Sequence, residues 1–245
     1  MNKQVLILTG TTDEFAFNTS KDNKVFYHHL NDKTMEEVFE LTLPSKQRYA
    51  KKYGYDLLTM RSFKNGNMYG FNKDFDMGFL RAVRTFEMLK YYDFVMWVDA
   101  DAIITNHIPI TDFPMKDKSF CASYDWEWRN SFSTGNFIVQ RTKDSDQLFD
   151  LFLHMGKQNS GRLMQEQEVL NFIHKNTSYG SMIEVIEHKY LGAVPSFIIE
   201  TPTWKSHNRK GVISPWDEGC FLAHLTGCSN RDRIDLLNNK FAKYL

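Results

Sequence analysis

The sequence predicts a single α/β domain built on a largely parallel sheet. Three observations lead there. The chain opens on a continuous apolar run, "QVLILTG" (Gln4 to Gly10), of the kind that forms a strand covered on both faces and stopped at a glycine turn. Segments of strand and helix character then alternate through the first half, the pattern of βαβ units. The segment "FVMWVDADAII" (Phe94 to Ile104) sets two carboxylates one residue apart at the end of an apolar strand. In such sheets ligands gather beyond the carboxyl ends of the strands.

The remaining elements follow in order. Polar residues from Thr11 to Lys33 read as a long loop, or a loop with a short helix. In "LPSKQRYAKKYGYDLLTM" the spacing predicts a helix opening at Pro44 and Ser45, stopped by Gly54, and a short strand from Tyr55 to Met60. "KNGNMYGFNKDFD" is rich in Gly and Asn and reads as a loop. Phe79, Leu80, Val83, Phe86 and Leu89 recur at helical spacing between Met77 and Lys90. "FCASYD" and "NFIVQR" read as strands, "SDQLFDLFLHM" and "MQEQEVLNFIHKN" as helices. "GCFLAHLTG" is a late apolar strand, and Asp232 to Tyr244 a closing helix. No repeat or linker divides the chain, so residues 1–245 read as one domain.

Composition narrows the function. Apolar residues make up 42% of the 245 residues, enough for a sizeable core, and 20 Phe raise the aromatic share to 15%; such rings pack cores or face sugars and bases. Thirty basic residues balance thirty acidic ones, and without a basic stripe nucleic acid is not an expected partner. Three widely spaced cysteines fit neither a disulfide framework nor a zinc ribbon, and favour a reducing setting. The opening apolar run is too short for a signal peptide, and no later segment reaches membrane-spanning length. The expected location is cytoplasmic.

Asp99 and Asp101 then need an explanation, because neighbouring carboxylates repel and resist leaving water. On an extended segment residues i and i+2 point the same way, so both can face one ion. Hard oxygen ligands suit Mn²⁺ or Mg²⁺, ions that bridge to substrate phosphates. The plainer alternative is that both aspartates cap the next loop; the apolar strand before them and "AII" after them favour the metal. A phosphatase-type D-x-D-x-[TV] motif is excluded by Ile103 in its fifth position and by the motif's place in mid-chain.

With these residues in view, the chain resembles GT-A nucleotide-sugar glycosyltransferases, and more narrowly glycosyltransferase family 34, the galactosyl-, mannosyl- and xylosyltransferases. "RYAKKYGYDL", "YYDFVMWVDADAII", "STGNFIVQRT" and "LAHLTGC" resemble four family segments in the same order, across roughly residues 48–228. The resemblance implies a metal-dependent enzyme that moves a sugar from a UDP- or GDP-linked donor to a glycan hydroxyl, with retention of anomeric configuration. A glycogenin-like transferase is the nearest alternative, and a non-catalytic sugar-binding protein on the same fold is another.

Carried over position by position, the resemblance makes Asp99, Asp101 and His224 metal ligands. On its own, a His inside an apolar strand is more often a core residue, although its place just before a Gly turn at a strand's end suits a ligand. Thr9, Gly10, Thr11, Arg81, Asp99, Ala100 and Gly227 would meet the nucleotide, although Arg81 also reads as part of a solvated helix face. Gly135, Asn136 and Gln165 would bound the donor sugar; Ser133 and Thr134 replace the Asn that often opens that family segment. Glu166 and Gln167 would be catalytic, beside the anomeric carbon; acids at a helix start equally stabilise its dipole. The family often places a Lys after the late glycine turn. Here Arg231 and Arg233 are the candidates for that phosphate contact. Trp126 and Trp128 would stack on the acceptor, though a core role is open to both.

Overall fold

The structure, a computed structural model, describes residues 3–10, 34–60, 77–125, 131–158, 166–199 and 215–245. Among these, six strands form the main sheet: β1 (Val5–Gly10), β2 (Asp56–Met60), β3 (Phe94–Asp99), β5 (Phe120–Tyr124), β6 (Phe132–Gln140) and β7 (Ile183–Ile186), in the order β2-β1-β3-β6-β5-β7. β1 pairs in parallel with β2 and β3, and β5 with β7. Only β6 runs against its neighbours β3 and β5, so the sheet is mostly parallel, as expected. β4 (Ala102–Ile104) and β8 (Leu222–His224) make a separate antiparallel pair.

Alternate residues of the buried strands feed two cores. Leu6, Leu8, Val95 and Trp97 face the side covered by α2 (Met77–Glu87), α3 (Ser145–Gln158) and α4 (Glu166–Asn176). Val5, Ile7, Phe94, Met96 and Val98 face the other side, with Tyr49 and Ala50 of α1 (Met35–Tyr53). A third cluster joins Val38 of α1 and Ile103 and Ala223 of the small sheet to Leu237 of α7 (Asn230–Asn239). Short helices α5 (His188–Leu191) and α6 (Ser196–Ile199) complete the described elements that surround the sheets.

Two expectations change. The first long helix begins not at Pro44 but at Met35, where Thr34 and Glu37 form a reciprocal capping box, with Pro44 inside the helix. The capping box satisfies amide groups that a helix start leaves orphaned, a stronger start signal than the proline. The predicted stop is correct: Gly54 sits at φ 67°, left-handed backbone that favours glycine. Secondly, the aspartate pair does not lie on one extended segment. β3 ends at Asp99, Ala100 and Asp101 form a turn, and β4 starts at Ala102. β6, β8 and the closing helix are where the pattern placed them, although β6 starts earlier, at Phe132, and the closing helix runs from Asn230 to Asn239. The expected loops at 11–33 and 64–76 lie outside the described residues.

Candidate metal and nucleotide site

The turn after β3 is held from three directions. The amide of Asp99 donates to Asn136 Oδ1 on β6 at 3.0 Å. The carbonyl of Asp101 accepts from the amide of Leu225 just beyond β8 at 3.0 Å. The carbonyl of Ala100 accepts from Thr42 Oγ1 of α1 at 2.6 Å. Ala102 pairs directly with His224 in the small sheet, which brings a residue from the end of the chain to the aspartates.

The side chains then divide their atoms. Asp99 Oδ1 accepts from Arg81 Nη1 at 2.6 Å and from Trp97 Nε1 at 2.7 Å. Asp101 Oδ2 lies 3.0 Å from Arg233 Nη2. The two other carboxylate oxygens turn inward: His224 Nε2 lies 3.2 Å from Asp101 Oδ1 and 3.6 Å from Asp99 Oδ2. One ligand atom from each of the three residues falls within 4.8 Å of the others. Outer atoms are therefore fixed by donors while inner atoms converge, as in metal centres whose ligands are oriented by a surrounding shell. Space is kept for them by Gly135, where a Cβ would come within 2.5 Å of His224 Cε1 and 3.0 Å of Asp99 Oδ2. Two carboxylate oxygens and an imidazole nitrogen in that space fit a hard or borderline dication.

Burial sets the charges. It pushes the Asp99 carboxyl above its ordinary range, against the pull of Arg81 and His224. For Asp101 burial acts the same way, but Arg233 and His224 outweigh it and hold the carboxyl well below that range. For His224 burial favours the neutral ring, yet Asp101, and Asp99 beyond it, raise its pKa.

Arg81 joins this centre to the start of α4. Its Nη2 donates to Glu166 Oε1 at 2.5 Å, and Thr134 Oγ1 donates to the same oxygen at 2.8 Å. Glu166 is buried, and a Cβ at Gly78 would overlap its carboxylate. Gln167 accepts from the amide of Thr134 at 3.1 Å and donates to Asp125 Oδ2 at 3.0 Å. Asn171 pins the helix to β6 by exchanging hydrogen bonds with both backbone groups of Phe132, at 3.0 and 2.9 Å.

Of the other expected residues, Gly10 is the register partner of Asp99. Thr9 is buried beside it, its hydroxyl without a partner among the described residues, and Asn136 Nδ2 is in the same condition. Gly227 takes φ 76° just before α7. Arg233 reaches the site, anchored by Leu225 O at 3.0 Å and Asn230 Oδ1 at 2.7 Å, whereas Arg231 is exposed. Thr11, Trp126, Trp128 and Gln165 lie outside the described residues. Sequence reasoning missed Trp97, Thr42 and Lys46. Trp97 sits two residues before Asp99, on the same strand face, a signal that could have marked it; Thr42 and Lys46, one turn apart on α1, carry no such local signal.

A mostly parallel α/β sheet with an Asp-x-Asp turn at its carboxyl edge, completed by a histidine from a late strand, defines the GT-A glycosyltransferase fold. Comparison with known proteins agrees at that level. No family model and no curated protein matches the chain. Solved structures do. A glycosyltransferase involved in glycosylation of the major capsid of PBCV-1 is 13% identical with a TM-score of 0.58, over 96% of this chain and 98% of that one. The galactosyltransferase LgtC, in complex with donor and acceptor sugar analogues, is 12% identical with a TM-score of 0.55, over 98% of this chain and all of its own. The glycosyltransferase GlyE of Streptococcus pneumoniae TIGR4 is 12% identical with a TM-score of 0.54, over 99% of this chain and 64% of its own.

Proposed function

We propose that this chain transfers a sugar from a nucleoside diphosphate sugar to a hydroxyl of a glycan, with Mn²⁺ or Mg²⁺ as cofactor. The observation that carries the reading is the convergence of Asp99 Oδ2, Asp101 Oδ1 and His224 Nε2 at the sheet edge. The imidazole favours Mn²⁺ of the two, since nitrogen ligands suit transition ions. When bound, the ion supplies positive charge to the leaving diphosphate. Arg81 and Arg233 add fixed charge on either side of it. Thr9, Gly10, Thr11, Ala100 and Gly227 line the nucleotide, with a UDP- or GDP-linked donor. Gly135, Asn136 and Gln165 bound the donor sugar, and Trp126 and Trp128 the acceptor.

Retention of configuration is part of the proposal. The acceptor oxygen bonds to the anomeric carbon on the face that the diphosphate leaves. The bond from that carbon to the phosphate oxygen breaks, and the leaving phosphate takes the acceptor proton. Glu166, a buried carboxylate paired with Arg81, and Gln167 steady the positive charge that develops on the sugar. The reaction is assigned to the cytoplasm.

Calorimetry with UDP and GDP, with and without Mn²⁺, tests the binding half. Nucleotide affinity that ignores both the metal and Asp101→Ala would sink the metal assignment. A screen of nucleotide sugars for Mn²⁺-dependent hydrolysis tests the catalytic half; donor binding without nucleotide release would make the chain a sugar-binding protein.

A further inference from the structure

Lys46 is fully buried on the inner face of α1. Its Nζ donates to Thr42 Oγ1 at 2.8 Å and lies 3.5 Å from the carbonyl of Ala100, the peptide that joins the two aspartates. The Phe39 ring stands 5.4 Å away. An ammonium out of water with one short hydrogen bond is costly unless opposite charge lies near. Burial pushes the amine down to about 7, against the pull of Asp101 and Asp99, so the amine is half charged near neutrality and charged below it. Around the site, Asp99, Asp101 and Glu166 then face Arg81, Arg233 and Lys46, three carboxylates against three cations. The arginines can reach a ligand; Lys46, behind the backbone of the turn, cannot. It acts on the site through its field alone.

We propose that Lys46 is a buried counter-cation that biases the site against a dication alone and toward a dication and a diphosphate held together. This rests on the metal and diphosphate reading given above. With Lys46 charged and His224 neutral, the form a metal needs, the side chains around the site balance, and a dication alone would leave excess positive charge in a poorly screened setting. A diphosphate brings back the missing negative charge. The field of Lys46 therefore opposes one ligand, favours the other, and roughly cancels for the pair. A residue that only packed would weaken both when replaced.

The test is calorimetry on the whole chain, with Mn²⁺ alone, UDP or GDP alone, and both together. Lys46→Met removes the charge and keeps the volume; Lys46→Gln also keeps a hydrogen-bonding end for Thr42 and Ala100. Both variants are expected to bind Mn²⁺ alone at least about tenfold more tightly and nucleotide alone more weakly, with a smaller change for the pair. Weakening of both ligands, or no change, in a folded variant overturns the proposal. So does failure of both variants to fold with and without Mn²⁺, which would make Lys46 a packing residue. Failure of the wild type to bind Mn²⁺ with nucleotide would instead sink the underlying metal reading, and the inference with it.

Discussion

Replacing Gly135 by Ala tests whether the three inner atoms form one centre. The added Cβ would stand 2.5 Å from His224 Cε1, where ordinary contact begins at 3.4 Å; the difference, 3.4 − 2.5 Å, requires a movement of about 0.9 Å. His224 has little room to move, because the ring is buried and Asp101 and Asp99 stand beside it. Metal–ligand distances tolerate only about ±0.2 Å, so the shift removes His224 from the ligand set or pushes Asp99 aside. Losing such orientation typically weakens a metal about 10–100-fold, while overpacking costs roughly 1–3 kcal/mol. The expected outcome is a folded variant with a lowered melting temperature and Mn²⁺ affinity reduced by at least about tenfold. Mn²⁺ titration beside thermal melting measures both. A folded Gly135→Ala with wild-type Mn²⁺ affinity would refute the shared centre.

Other substitutions and conditions probe separate parts of the site. The pKa of His224 is raised because Asp101 and Asp99 outweigh burial, and a dication needs the neutral ring. Mn²⁺ affinity should therefore fall as pH drops through that raised value. In the metal-free protein the contribution of His224 has the opposite sign: it is full below the ordinary histidine value and lost as pH rises through the raised one. It is read as the difference between wild type and His224→Ala, because Lys46 titrates near 7 in the other sense. Titrations and melts between about pH 5 and 8 check both signs. Glu166→Ala should lower kcat far more than donor affinity, because its contact strengthens as charge develops. Gly78→Ala, which displaces the same carboxylate, should do likewise, and normal turnover in both variants would leave Glu166 a structural residue. Asn171→Ala strips both backbone groups of buried Phe132 of their partners. It should cost about 1–3 kcal/mol in urea unfolding, and an unchanged midpoint would mean that the α4–β6 contact is held by other groups.

The buried strands were legible because continuous apolar runs leave few alternatives: Val5–Gly10 and Phe94–Asp99 are where the pattern put them. The start of α1 was legible in Thr34-Met35-Glu36-Glu37, a capping-box pattern, but Pro44, which the helix carries in its interior, drew the reading about two turns too far along. The aspartates could be read as a pair from their spacing, but not the turn that aims them, since that turn depends on Thr42, Asn136 and Leu225 from distant parts of the chain. His224 entered through a resemblance, because pairing between β4 and β8 leaves no local signature. Lys46 was hidden for another reason. A lone lysine on a helix reads as solvated, and the carboxylates that keep it buried lie more than fifty residues away.

The turn at Ala100 and Asp101 is also a seam. On one side of it lies the six-stranded sheet, on the other the β4–β8 pair with α7 packed behind it, and the strands of the two sheets do not pair. Asp99 belongs to the first body and His224 to the second. A cation gripped between them would act as a rivet, adding to side-chain packing, the turn, the hydrogen bonds of α1 and the backbone bonds from Phe221 and His224 to Lys189 and Ala193. Amide exchange in β8 and at the start of α7 should then slow on adding Mn²⁺, while β1 and β2, wholly within one body, keep their rates. By this route, filling the candidate metal site would stiffen the joint on which the last strand and helix of the fold are hung.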